Sequence, residues 1–176
     1  MWTRFESSVR IDGTPRPMTA KDFASFGKVA GVPLPAGWRD FMARYGPGEL
    51  AGYFNLRGVA KRRGVTMTLA ELVALYRDNL DMYVDQFGRK HKARLARLVP
   101  FGDTVGGDIL AWDPGRAQPA AEPVEYPVLM LRDGADAIDE LAPAFEPFLV
   151  DVCLSASFGD IVGDPGWTVE RTFKPV

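Results

Sequence analysis

Phe101-Gly102-Asp103-Thr104-Val105-Gly106-Gly107-Asp108-Ile109-Leu110-Ala111-Trp112-Asp113-Pro114 reads as the end of one strand, a turn, a second strand and a second turn. Glycines enter positive φ without steric cost, and Asp side chains bond to turn backbone. Residues 109–112 form a short apolar run of the length of a buried strand. Further strands are read at residues 98–101, which lead into this hairpin, and at 126–131, which Arg132-Asp133-Gly134 turns. Residues 137–141 read as a short strand or turn, and 114–123, rich in Pro and Ala, as an exposed loop.

Outward from this hairpin the chain alternates helical and extended patterns. An edge strand is expected over 5–11 and a helix from Thr19, with Asp22 favouring the positive helix end. Prolines 33 and 35 stop that helix, and a second one runs over 36–45. Its Trp38, Phe41, Met42 and Tyr45 fall at i, i+3, i+4 and i+7, one apolar face. Residues 50–56 read as a strand. Thr68-Leu69-Ala70-Glu71 is a capping box that opens a long helix to residue 87. Pro143 introduces a last helix with Phe145, Phe148, Leu149 and Val152 on one stripe, and 167–173 is a final strand. This order fits α+β: one domain over 1–176, a central, mostly antiparallel sheet flanked by helices.

Composition points to a globular protein, with 47% hydrophobic and 25% charged residues. No apolar run approaches the roughly 20 residues that span a bilayer, and the N-terminus lacks a signal-peptide core, so a cytoplasmic location is expected with no membrane partner. The single cysteine, Cys153, lies among Phe148, Leu149, Val152 and Leu154 and reads as a core hydrophobe. Residues 1–100 hold 17 Lys/Arg against 9 Asp/Glu, a balance of +8; residues 101–176 hold 4 against 14, a balance of −10. Either this polarity steers a charged partner, or the halves interleave in space and cancel.

Catalytic patterns are not found. A Ser/His/Asp triad needs a histidine placed by a carboxylate, and the only one, His91, sits in the basic run 89–94, a solvated surface position. Gly102 to Gly107 lacks the lysine of a P-loop, and its acids repel phosphate. Asp103, Asp108 and Asp113 do not follow the alternation of a calcium loop and read as turn formers, so no metal and no cofactor are expected. Lys61-Arg62-Arg63 and the 89–97 cations are candidate phosphate contacts, with Tyr76 and Tyr83 as stacking residues. The acidic overall balance opposes that reading, and a solvated face is expected instead.

Three segments together resemble the SUKH superfamily, of the SMI/KNR type, which contains a yeast cell-wall-assembly regulator and many bacterial immunity proteins. They are Leu34-Pro35-Ala36-Gly37-Trp38-Arg39-Asp40-Phe41-Met42-Ala43-Arg44-Tyr45-Gly46, the 99–113 hairpin, and Ala144-Phe145-Glu146-Pro147-Phe148-Leu149. Pro147 departs from a smooth helix and predicts a kink or a later start there. The resemblance covers about residues 20–155; the charged region 57–97 is in part a helical insertion and 158–176 a C-terminal extension. It implies a SUKH-like α+β fold and a non-enzymatic domain that binds protein, with no catalytic residues to carry over. The leading expectation is a bacterial immunity protein that neutralises a cognate toxin, a nuclease among the candidates, by direct binding. Asp103, Asp108, Asp113, Glu122 and Glu125 are the candidate partner contacts, mimicking phosphates to a basic toxin surface. The alternatives are a regulatory scaffold that binds a host protein and, from another class, an enzyme whose site is built from dispersed carboxylates.

Overall fold

The computed structural model describes residues 2–61, 66–117, 123–164 and 166–176. Among them eight strands form one sheet in the order β1-β8-β2-β3-β4-β5-β6-β7. The strands are β1 (Arg10–Ile11), β2 (Gly48–Leu50), β3 (Phe54–Leu56), β4 (Val99–Thr104), β5 (Ile109–Trp112), β6 (Val128–Leu131), β7 (Ile138–Ala142) and β8 (Thr172–Pro175). Every neighbouring pair is antiparallel except β1 and β8. The expected α+β class, with a mostly antiparallel central sheet flanked by helices, is the observed one.

Helices cover both faces. The main core lies under α1 (Thr3–Ser8), α2 (Ala20–Ala30), α3 (Ala36–Arg44) and α7 (Phe145–Pro147), where Trp38, Phe41, Phe101, Trp112, Phe145 and Phe148 are fully buried. Phe101 stacks on Trp112 at 4.9 Å. Across the sheet, Ile109, Ala111, Leu129 and Leu131 meet Tyr76, Val84, Phe87 and Leu95 of α4 (Leu69–Asp78), α5 (Leu80–Phe87) and α6 (Lys92–Leu95). Successive strand residues point to opposite faces, so the continuous apolar runs of β5 and β6 supply both cores.

A bulge decides which face Asp103 takes. Val99 pairs with Trp112 and Pro100 with Ala111, but Gly102 pairs with Leu110, so Phe101 is the extra residue. Asp103 then shares a face with its partner Ile109, outside the main core. Asn55 pairs with Asp103, Glu49 with Asn55 and Lys174 with Glu49, which lays a polar row across β4, β3, β2 and β8.

Several elements depart from the sequence expectations. The stretch 50–56 is two strands joined by a turn in which Ala51 and Gly52 both have positive φ, at 58° and 66°. The helix expected over 68–87 breaks at Asn79, whose side-chain amide donates to the Leu75 carbonyl at 2.8 Å; α4 gives Leu69 and Val73 to the main core and Tyr76 to the second, and α5 gives Val84 and Phe87 to the second. Residues 5–11 are mostly α1, because Trp2, Phe5 and Val9 bury at helical spacing; only Arg10 and Ile11 are strand. The last strand begins at Thr172 rather than residue 167. Pro147 falls in the first turn of α7, where a missing N–H removes no helix bond, and the chain continues as π-helix over Phe148–Cys153. Cys153 is buried and free, as its apolar neighbours imply.

The charge polarity of the sequence is interleaved in space. Arg4 pairs with Asp151, Arg57 with Asp103, Arg94 and Arg97 with Asp113, and Lys174 with Glu49, each joining the basic to the acidic half.

Candidate functional site

The acids that bracket β5 organise the two ends of the sheet. Asp108 is buried. Its Oδ2 accepts from the hydroxyls of Thr104 at 2.8 Å and Tyr53 at 3.2 Å, and its Oδ1 accepts the backbone N–H of Asp133 at 3.0 Å. Tyr53 belongs to the β2–β3 turn and Asp133 to the β6–β7 turn, while Thr104 ends β4 where the β4–β5 turn, which carries Asp108 itself, begins. One carboxylate therefore fastens three turns together. Gly107, at φ 93°, sits so close to the last of them that a Cβ there would lie 3.0 Å from Asp133 Oδ2.

At the other end of β5, Asp113 is 0% exposed and lies between two guanidiniums, Arg94 Nε at 2.8 Å and Arg97 Nε at 2.9 Å. It also accepts the N–H of Gly115 at 3.2 Å, capping the 3₁₀ turn Pro114–Arg116. Burial pushes the Asp113 carboxyl up, but Arg97 and Arg94 outweigh it and hold the group below its ordinary value. This clamp ties α6 to the sheet.

The other candidate acids have separate places. Asp103 accepts Arg57 Nε at 2.5 Å and Nη2 at 2.6 Å, and Asn55 Nδ2 at 2.8 Å, a bidentate pair on the polar row. Glu125 reaches the start of α3, where its Oε1 accepts the Gly37 N–H at 2.5 Å. Pro35 at the N-cap supplies no side-chain bond, so Glu125 is the cap, delivered from a distant segment. Burial pushes its carboxyl above the ordinary value, against the backbone N–H groups of Gly37 and Phe145. Glu122 lies outside the described residues. The four described acids thus do not converge; Asp108 and Asp113 are buried internal fasteners rather than exposed contacts for a partner.

What faces outward at the three-turn end is a different set. Val105 is 57% exposed and Trp167 is 37% exposed. The Val105 N–H donates to the Tyr53 carbonyl at 3.0 Å, and Trp167 packs edge-on to the Tyr53 ring at 5.5 Å. Exposed carboxylates flank them: Asp133 and Asp136 from the β6–β7 turn, and Glu170, whose Oε2 would lie 3.0 Å from a Cβ at Gly52. Sequence reading placed Trp167 in a strand and missed this role. The usable signal was its position directly after the breakers Gly163, Pro165 and Gly166.

Among the described residues no group of three His, Cys, Asp or Glu side chains is placed to hold a metal ion, and no helix is long and apolar enough to cross a membrane. His91 is half-buried on the 3₁₀ turn Arg89–His91. A model described as the SMI1 / KNR4 family (SUKH-1) matches residues 17–151. That span includes the three quoted motifs and strands β2 to β7, and it stops before Trp167. No curated protein matches the sequence.

Proposed function

Because the chain belongs to the SMI1/KNR4 (SUKH-1) family, we propose that it acts by binding another protein without catalysing a reaction. Its role on this reading is that of a cytoplasmic bacterial immunity protein that neutralises a cognate toxin by direct contact. The observation that supports it most is the three-turn end: an exposed valine on turns locked to one buried aspartate, with an exposed tryptophan packed on Tyr53 and carboxylates beside them. Aromatic anchors fixed on a rigid support and bordered by charge are the anatomy of a protein-binding patch. The carboxylates suit a basic partner surface, such as the substrate face of a nuclease, and would speed docking.

Co-expression with the product of the adjacent open reading frame, should that carry a toxin-like C-terminal domain, tests the reading. The expected results are restored growth and a complex that survives gel filtration. Trp167→Ala should weaken that complex roughly tenfold or more, and Asp133→Lys with Asp136→Lys should slow association and flatten its salt dependence. No rescue together with no complex overturns the proposal.

A further inference from the structure

A groove of about 530 Å³ runs between α2 and α3. Its floor is Phe23, Val32 and Leu34, and its α2 wall is the small residues Ala20, Ala24 and Gly27. Beyond Pro33, Leu34 and Arg39 it continues into a second hollow of about 320 Å³ that ends at Pro123 and Val124.

Gly27 is the informative wall residue. It lies inside α2, where glycine costs about 1 kcal/mol relative to alanine. Its φ is not positive, and a Cβ there would meet nothing within 4 Å. Neither backbone conformation nor packing among the described residues calls for glycine, and the open space leaves room for close approach by another molecule.

The charge at the groove supplies the other half of the argument. Arg39 lines it, with its guanidinium 5.7 Å from the centre of the Phe23 ring. Lys21 and Lys28 stand three before and four after Ala24, on the same face of α2. None of the three cations has an ion-pair partner among the described residues, a condition they share with Arg16, Arg77, Arg89, Lys90 and Arg171, so their charge is open to a partner's carboxylates.

We propose that this groove receives an apolar segment of a partner protein that carries acidic side chains: the apolar face seats against Phe23 and Leu34, and its carboxylates meet Arg39, Lys21 and Lys28. This surface is separate from the three-turn end and does not depend on the partner assigned to it. The probe is a synthetic amphipathic helix of about 18 residues, with leucines on one face and flanking glutamates, and a twin in which lysines replace the glutamates. Fluorescence anisotropy should show the acidic peptide binding roughly tenfold or more tighter than its twin. Gly27→Leu, which fills the groove, should abolish binding while leaving the melting temperature unchanged or raised, and Arg39→Glu should weaken the acidic peptide and favour the lysine one. Equal binding of the two peptides, or unchanged affinity in Gly27→Leu, overturns the proposal. So does binding of phosphatidylserine vesicles that Gly27→Leu abolishes, with no peptide binding, which would assign the groove to a membrane surface.

Discussion

The two ends of β5 each bury an aspartate, and they satisfy it in opposite ways. Asp108 is held by two hydroxyls and an amide, all neutral donors, whereas Asp113 is held by two guanidiniums. The first arrangement is dipolar and ties turns to turns beneath an exposed surface. The second is ionic and ties a helix to a strand. The same residue type within one hairpin motif thus serves one end that presents side chains outward and another that closes the fold.

Ionic and dipolar fastening should fail differently, and the largest effect belongs to the ionic end. Asp113→Ala leaves Arg94 and Arg97 without their shared acceptor. Stripping one partner from a buried pair costs about 3–5 kcal/mol, and the partial exposure of both arginines, which lets them reach water, puts the expected loss at about 3 kcal/mol in urea unfolding. The pH dependence follows in sign. The folded carboxyl titrates below its unfolded value, so its stabilisation is present above the ordinary carboxylate range and is lost as pH falls through the folded value. Asp113→Asn should therefore flatten the acid limb of the stability curve. An unchanged acid limb would remove the ionic half of the comparison.

The dipolar end should lose less. Asp108→Ala orphans the Asp133 N–H and two hydroxyls, at an expected cost of about 2 kcal/mol. Asp108→Asn should cost less than half of that, because an amide keeps one oxygen for Asp133 and hydroxyls can accept as readily as donate. Hydrogen exchange locates the effect: the Asp133 and Val105 amides should speed up together in Asp108→Ala, since one carboxylate holds both turns. Faster exchange at only one of them would show that the turns are not coupled through Asp108.

This contrast also marks what the sequence made legible. The apolar period of Trp38, Phe41, Met42 and Tyr45, the N-cap at Thr19, the capping box at Thr68 and the run Ile109–Trp112 are local signals, and α3, β5 and the starts of α2 and α4 formed as read. The break at Asn79 was hidden because Leu69, Val73, Tyr76, Val84 and Phe87 keep a plausible single-helix pattern while serving two cores. The roles of the acids were not legible, because whether Asp113 faces solvent or two arginines depends on a helix that starts 21 residues earlier and folds back onto it. The outward patch was hidden for the same reason: Trp167 and Val105 are 62 residues apart and are both held to Tyr53.

Glu125 stands between the two modes, a carboxylate on a neutral amide with no cation beside it, and it gives the smallest effect. Glu125→Ala removes the acceptor for the Gly37 N–H at the start of α3, which has no side-chain cap of its own, so a loss of about 1 kcal/mol is expected. Glu125→Gln keeps an oxygen at that amide and removes a charge that burial already disfavours, so its stability at neutral pH should match or exceed that of the parent. The folded carboxyl titrates above its unfolded value, so between the two values the native state binds more protons and stability falls as pH rises. The melting temperature of Glu125→Gln relative to the parent should therefore rise as pH rises through the acid range, with Asp113 acting equally on both. If Glu125→Gln proved as unstable as Glu125→Ala at neutral pH, the charge itself would be required at the helix start, and Glu125 would belong with Asp113 on the ionic side.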